Sequence, residues 1–251
     1  MSSHRRLLAR ALHRLPPVQR LVAERDQLRR EVHELRGPRP EEFGYVFVVT
    51  YGRSGSTLLN GILNSIPGYR IHGENRMVIQ FLYRWQHAID LQLQEDMRPG
   101  PRSPWYGLLQ YPRDKALEDM RRLVVDTLLR PGPQTRVLGF KEIRWPRQDL
   151  DGLIEFMREL FPDARFIFNT RNADDVAKSK WWADAANPLE QIADRERIWE
   201  SIRAELGDRA FHVHYDDYAA DVEALRPLFS WLGEPFDREA LMDVMSKKHS
   251  Y

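Results

Sequence analysis

From residue 45 to residue 63 the chain reads Tyr-Val-Phe-Val-Val-Thr-Tyr-Gly-Arg-Ser-Gly-Ser-Thr-Leu-Leu-Asn-Gly-Ile-Leu. A continuous apolar run, a break at two glycines and a return of apolar residues at helical spacing predict strand, loop and helix. Gly52 and Gly55 let a backbone approach a ligand closely. Ser54, Ser56 and Thr57 supply hydroxyls and unpaired amides at a helix start, where the helix dipole favours an anion. The stretch reads as a phosphate cradle. It is not an ordinary nucleotide P-loop, because Ser56 stands where G-x-x-x-x-G-K-[ST] requires Lys. The cation precedes the turn, at Arg53, which suits an anion neutralised by protein rather than by metal.

The second half of the sequence repeats an α/β rhythm. Strands are expected at 136–141, 165–170 and 210–215, and helices at 150–161, 174–182, 189–206 and 219–232, the last ending at Gly233. Strands separated by helices imply a mainly parallel central sheet flanked by helices on both faces. Ligands in such sheets bind beyond the carboxyl ends of the strands. After the cradle helix, Pro67-Gly68 and a short apolar-aromatic step lead to Ile71-His-Gly-Glu-Asn-Arg76, followed by a helical pattern to about Gln94. Residues 98–113, rich in Pro and Arg with Trp105 and Tyr106, read as a loop that helps to select a substrate.

At 251 residues with 42% hydrophobic content, the chain is long enough for one sizeable core. The expected organisation is an N-terminal helical arm over 1–36, a Gly-Pro-rich linker over 37–44 and a domain over 45–251. The arm carries nine Arg and four acidic residues, +5, whereas the whole chain is only +1. Its Leu21, Leu28 and Leu35, seven apart, with Val18 ahead of them and Val32 between the last two, form a short coiled-coil-like seam, fit for a homodimer, for docking on the body or for a solvated helix face. The absence of cysteine excludes thiol catalysis and thiolate metal sites. No run approaches the roughly 18 apolar residues of a spanning helix, so a cytoplasmic location without a transmembrane segment is expected.

The second motif is Arg171-Asn-Ala-Asp-Asp-Val-Ala-Lys-Ser179, directly after an expected strand. Arg171 and Ser179 close on one phosphate if the chain turns between them. Thr50-Tyr-Gly-Arg-Ser-Gly-Ser-Thr57 resembles the 5′-phosphosulfate loop of the sulfotransferase superfamily, and 171–179 resembles its 3′-phosphate motif. The resemblance spans about 45–245. It implies a P-loop-like sulfotransferase fold and the donor 3′-phosphoadenosine 5′-phosphosulfate (PAPS). Arg53, Ser54, Gly55, Ser56 and Thr57 would then bind the phosphosulfate and Arg171 with Ser179 the 3′-phosphate. Tyr215 resembles a nucleotide-contacting tyrosine of the family.

Sulfuryl transfer requires a base for the acceptor hydroxyl. Glu74 resembles the Gly-Glu base of tyrosylprotein and several bacterial sulfotransferases, and His72 is the fallback. Lys141, in Gly139-Phe-Lys-Glu-Ile-Arg144, resembles the family's catalytic Lys, which neutralises the leaving group; an ordinary ion pair with Glu74 or Glu142 is the plainer reading. Trp181 and Trp182 stand where they could stack on adenine or line an acceptor pocket. Neither a metal nor a nucleic acid is expected as partner. The acceptor class is a hydroxyl of a carbohydrate, lipid, tyrosine or small natural product. Two rivals stand beside this reading: a kinase-like phosphotransferase, and a non-catalytic nucleotide-binding scaffold assembled through the N-terminal helix.

Overall fold

The computed structural model describes residues 19–25, 27–28, 39–93 and 100–247. The chain divides into two compact units, 1–42 and 43–251. In the first, residues 19–25 and 27–28 are helical, with Leu21 and Leu28 of the seam exposed. Val18, Val32 and Leu35 lie outside the described residues. Pro40–Glu42 form a 3₁₀ turn beside an Arg39–Glu42 ion pair of 3.0 Å.

The second unit is built on β1 (Gly44–Val49), whose side chains alternate between two apolar faces. Tyr45, Phe47 and Val49 enter one core cluster, and Val46 and Val48 enter another. A strand buried on both faces must lie inside a sheet covered by helices on each side. The chain continues through α1 (Ser56–Asn64) to β2 (Tyr69–His72), α2 (Ile79–Leu93) and α3 (Arg113–Leu123), which runs into a π-helical turn, Val124–Leu129. Then come β3 (Val137–Glu142), α4 (Leu150–Leu160), β4 (Arg165–Thr170), the short α5 (Ala173–Ala177), α6 (Pro188–Leu206) and β5 (Ala210–His214). The described chain closes with α7 (Tyr215–Ala220), α8 (Arg226–Leu232) and α9 (Arg238–Ser246).

Among the described residues, five strands form one sheet in the order β2-β3-β1-β4-β5, all parallel. Phe47 anchors the first core, its ring centroid 4.9 Å from that of Phe140 and 5.7 Å from that of Phe166. Each such buried side chain contributes about 1.5–3 kcal/mol of transfer free energy. In register, Val48 lies beside Lys141 and Val49 beside both Glu142 and Phe168. The carboxyl end of β1 therefore opens between those of β3 and β4, the position where open α/β sheets receive ligands.

Several local expectations are corrected. Tyr69–His72 is a strand pairing with β3 at the sheet edge, because alternation over only four residues leaves too short a signal to separate it from a loop. Arg113 begins α3 instead of ending the loop; in the described part of that segment, Leu108–Gln110 forms a 3₁₀ turn and Tyr111 donates to Gln86 Oε1 at 2.8 Å. The expected helix over 174–182 breaks after Ala177. Ser179 is extended and Lys180 takes φ 46°, so Arg171 and Ser179 are related by a turn and not by a continuous helix. Tyr215 leaves the strand to open α7, and 219–232 divides into α7, a 3₁₀ turn at Val222–Leu225 and α8.

Candidate active site

The loop after β1 is held from beneath by a buried polar network. Thr50 Oγ1 lies 2.6 Å from Ser54 Oγ and donates to the Asn169 carbonyl at 2.9 Å. Asn169 Nδ2 donates to the Ser54 carbonyl at 3.0 Å, and Tyr218 donates to Asn169 Oδ1 at 2.9 Å. Trp182 Nε1 adds a bond to the Gly52 carbonyl at 2.9 Å. Buried polar groups of this kind fix a conformation because each has its partner. Within it, Arg53 and Gly55 both adopt φ 72°. For Arg that left-handed backbone costs about 1–2 kcal/mol and persists only where the surroundings enforce it.

The two loop glycines leave room for rings. A Cβ at Gly52 would collide with Trp181, and one at Gly55 with Tyr215. Tyr215 in turn lies under the Arg171 guanidinium, 4.8 Å from carbon to ring centroid. Gly55, the N-cap of α1, offers no side-chain cap, so the first amides of the helix, at Ser56 and Thr57, face the cavity without one.

The two motifs meet directly. Arg53 Nε donates to Ser179 Oγ at 2.9 Å and Arg171 Nη1 to the Arg53 carbonyl at 3.3 Å. Arg171 Nε is buried without a hydrogen-bond partner among the described residues, its nearest carboxylate being Asp216 at 3.9 Å. Tyr51 positions the start of this motif: its hydroxyl accepts the Arg171 amide at 3.0 Å and donates to Glu196 at 2.6 Å. Burial first, then the Glu196 carboxylate, push the Tyr51 phenol up, so it stays protonated as a structural donor.

Across the cavity, Lys141 at the end of β3 is almost fully buried and donates to Glu74 Oε1 at 2.8 Å. Glu74 Oε2 lies 3.4 Å from Arg144 Nη1. Thus the plainer reading of Lys141, an ion pair, and its place in the site coincide. Glu142, the next residue, is wholly buried. One of its oxygens accepts the amides of Asn75 and Met77, each at 2.9 Å. The other accepts those of Ile143 and Arg144 at 2.8 and 3.0 Å. This carboxylate clamps the segment carrying Glu74, in which Arg76 and Met77 are held at φ 60° and 55°.

A cavity of about 330 Å³ collects most of the expected residues: Arg53, Gly55, Ser56 and Thr57 of the loop and helix after β1, Glu74 and Lys141 from the β2 and β3 side, and Arg171 with Tyr215 from the β4 and β5 side. Ser179 adjoins it through Arg53. Ser54 does not: its hydroxyl is turned into the core against Thr50 and is fully buried. His72 is engaged elsewhere, its Nε2 donating to the Leu129 carbonyl at 2.6 Å. Of the two tryptophans, Trp181 is half-exposed on the cavity wall while Trp182 is buried. Sequence reasoning missed the clamp of Glu142 and the contribution of α9, which brings Met245, with Lys247 just beyond, to the cavity. The Lys-Glu pair at a strand end was a signal for the first; nothing local signalled the second.

The sequence that builds this cavity also matches a known family. The sulfotransferase family profile covers residues 46–238, and the chain belongs to the sulfotransferase family, whose chemistry is sulfuryl transfer. Among the solved structures that share the fold are two sulfotransferase domains. The sulfotransferase domain of the Synechococcus PCC 7002 olefin synthase is 20% identical with a TM-score of 0.51, covering 83% of this chain and 79% of that one. The sulfotransferase domain from the curacin biosynthetic pathway is 16% identical with a TM-score of 0.52, covering 82% and 79%. No curated protein sequence matches the chain. Among the described residues there is no cluster of His, Cys, Asp or Glu that could hold a metal ion, and no helix long and apolar enough to cross a membrane.

Proposed function

We propose that residues 45–251 form a PAPS-dependent sulfotransferase acting on a hydroxyl acceptor, with 1–36 an appended arm and 37–44 a linker. The observation that carries this reading is the Arg53–Ser179 bond, which joins the two phosphate motifs at one cavity opposite Glu74 and Lys141. The donor set fits a ligand with two separate anionic ends. Arg171 carries an orphaned buried Nε–H, Ser179 keeps its own hydroxyl proton to donate, and α1 presents uncapped amides.

PAPS, when bound, supplies the sulfuryl group and leaves as the 3′,5′-bisphosphate. Arg53, Ser56 and Thr57 hold the phosphosulfate end, and Arg171 and Ser179 the 3′-phosphate. Tyr215, fixed between Gly55 and Arg171 on the cavity wall, would contact the nucleotide. Glu74 takes the proton of the acceptor hydroxyl, and Lys141 keeps positive charge beside the group that departs. Side-chain cations do the neutralisation, and positioning does much of the rest.

Calorimetry with 3′-phosphoadenosine 5′-phosphate (PAP) against ATP tests the donor: PAP binds tighter, and tighter ATP binding overturns the reading. With labelled PAPS, Glu74→Gln lowers turnover by about 10²–10⁴-fold while PAP affinity holds; full turnover in that variant removes Glu74 as the base.

A further inference from the structure

Beside the cavity lies a larger groove of about 940 Å³, within the size range of small-molecule sites. Ile143 lines both, and Arg144, which touches Glu74, belongs to the groove wall. The groove is strongly basic. Arg84, Arg144, Arg147, Arg195 and Arg197 line it, against the single carboxylate of Asp194. That carboxylate is already divided between Arg147 at 3.1 Å and Arg197 at 3.0 Å.

Arg195 is the informative residue. Its Nε is buried without a hydrogen-bond partner among the described residues, and its Nη1 reaches only the Trp145 carbonyl, at 3.5 Å. Burial lowers its pKa, and the charge of Arg147 adds to the effect. A half-buried guanidinium beside another guanidinium, with no carboxylate paired to it among the described residues, is stabilised by an anion that meets its groove-facing side. Its planar fork suits the paired oxygens of a carboxylate, sulfate or phosphate.

Resting on the sulfotransferase reading, we propose that the acceptor is itself anionic: a hydroxyl compound whose carboxylate, sulfate ester or phosphate ester is held by Arg195 and Arg147 while its hydroxyl lies at Glu74. Arg144 spans the two subsites. A neutral acceptor would leave Arg195 without a counter-charge; an anionic one supplies it, and selectivity follows from that difference. Walls formed by Ile143, Pro146 and Ile198 bound the ligand's apolar surface.

The test uses the full chain with glucuronate, glucose 6-phosphate and glucose 6-sulfate as probes, and glucose as their neutral twin. Each is titrated by calorimetry with PAP saturating, so that phosphate cannot register through the neighbouring cavity. At least one charged probe binds ten-fold or more tighter than glucose, and the three arms separate carboxylate from phosphate and sulfate. Arg195→Met removes that preference, Arg195→Lys restores part of it, and PAP affinity is the same in all three proteins. A thermal melt of each variant confirms folding. Glucose binding as tightly as every charged probe overturns the proposal, as does a preference that survives Arg195→Met. Failure of PAP to bind strikes the sulfotransferase reading instead, and the same titrations without PAP still decide whether the groove takes anions.

Discussion

The two walls of the cavity are held by different chemistry. The phosphate-loop wall rests on neutral, interlocking bonds: Thr50 to Ser54 and Asn169, Tyr218 to Asn169, Trp182 to Gly52, with Arg53 and Ser179 closing over the top. The Glu74 wall rests on one carboxylate, Glu142, which accepts backbone amides on both sides of the crossing between β3 and the 73–77 segment. A distributed network survives the loss of one member, because the remaining bonds still fix the backbone. A hub does not, since its removal leaves several amides unsatisfied at once. Anion binding and proton abstraction therefore differ in how exposed they are to single substitutions.

The largest expected effect breaks the hub. Glu142→Ala destabilises by about 3 kcal/mol or more, through amides left without an acceptor and relaxation of the left-handed backbone at Arg76 and Met77. Because Glu74 is then no longer positioned, turnover falls by about 10²-fold or more, while PAP affinity stays within about two-fold of the native value. Denaturant melts and PAP calorimetry read the two halves separately. An equal loss of PAP affinity would show that the two walls are not independent.

A smaller effect probes the other wall. Arg171→Ala removes a charge and the cation over Tyr215, but the network under the loop remains. PAP binding weakens by about 10–100-fold, as expected for loss of charge-assisted bonds of roughly 1.5–3 kcal/mol. Stability moves by about 1 kcal/mol at most. A collapse in melting temperature would mean that Arg171 is part of the scaffold and not of the ligand shell.

The same contrast explains what could be read from residues alone. The strand at 165–170 is found because its apolar run is continuous and bounded, and the cradle because glycine, hydroxyl and cation lie within eight residues. α3 escapes notice: Arg-Asp-Lys-Ala-Leu-Glu-Asp-Met-Arg-Arg-Leu buries only Leu117 and Met120, and its helical period is faint among so many charges. Ser54 is misplaced because the direction of its hydroxyl depends on the φ of Arg53 and Gly55, set by tertiary bonds. The basic groove is invisible in one dimension, since 144–147 and 194–197 meet only after folding.

The smallest effect concerns His72, which lies at the edge of the Glu74 wall. A carbonyl can only accept, so His72 Nε2 carries its proton toward Leu129 at 2.6 Å and cannot also accept from Arg70 Nε at 3.3 Å, and the neutral ring suffices for the shorter bond. Burial holds its pKa below the ordinary 6.5, and Arg70 and Arg130 add to this, against the opposing pull of the Leu129 carbonyl. The unfolded chain therefore binds a proton here before the native protein does. Well above pH 6.5 this titration makes no difference to stability. As pH falls from 6.5 toward the lower native pKa, the native state loses stability, and the loss levels off below it. His212, lowered chiefly by burial, acts in the same direction. His72→Gln keeps a donor for Leu129 and removes the titration, so its stability falls less steeply over this range than that of the native protein. Its turnover with labelled PAPS, carried by Glu74 in this reading, stays within about two-fold of the native value. A loss of about 10²-fold or more in His72→Gln would bring this ring into the chemistry and make the Glu74 wall depend on more than the Glu142 hub.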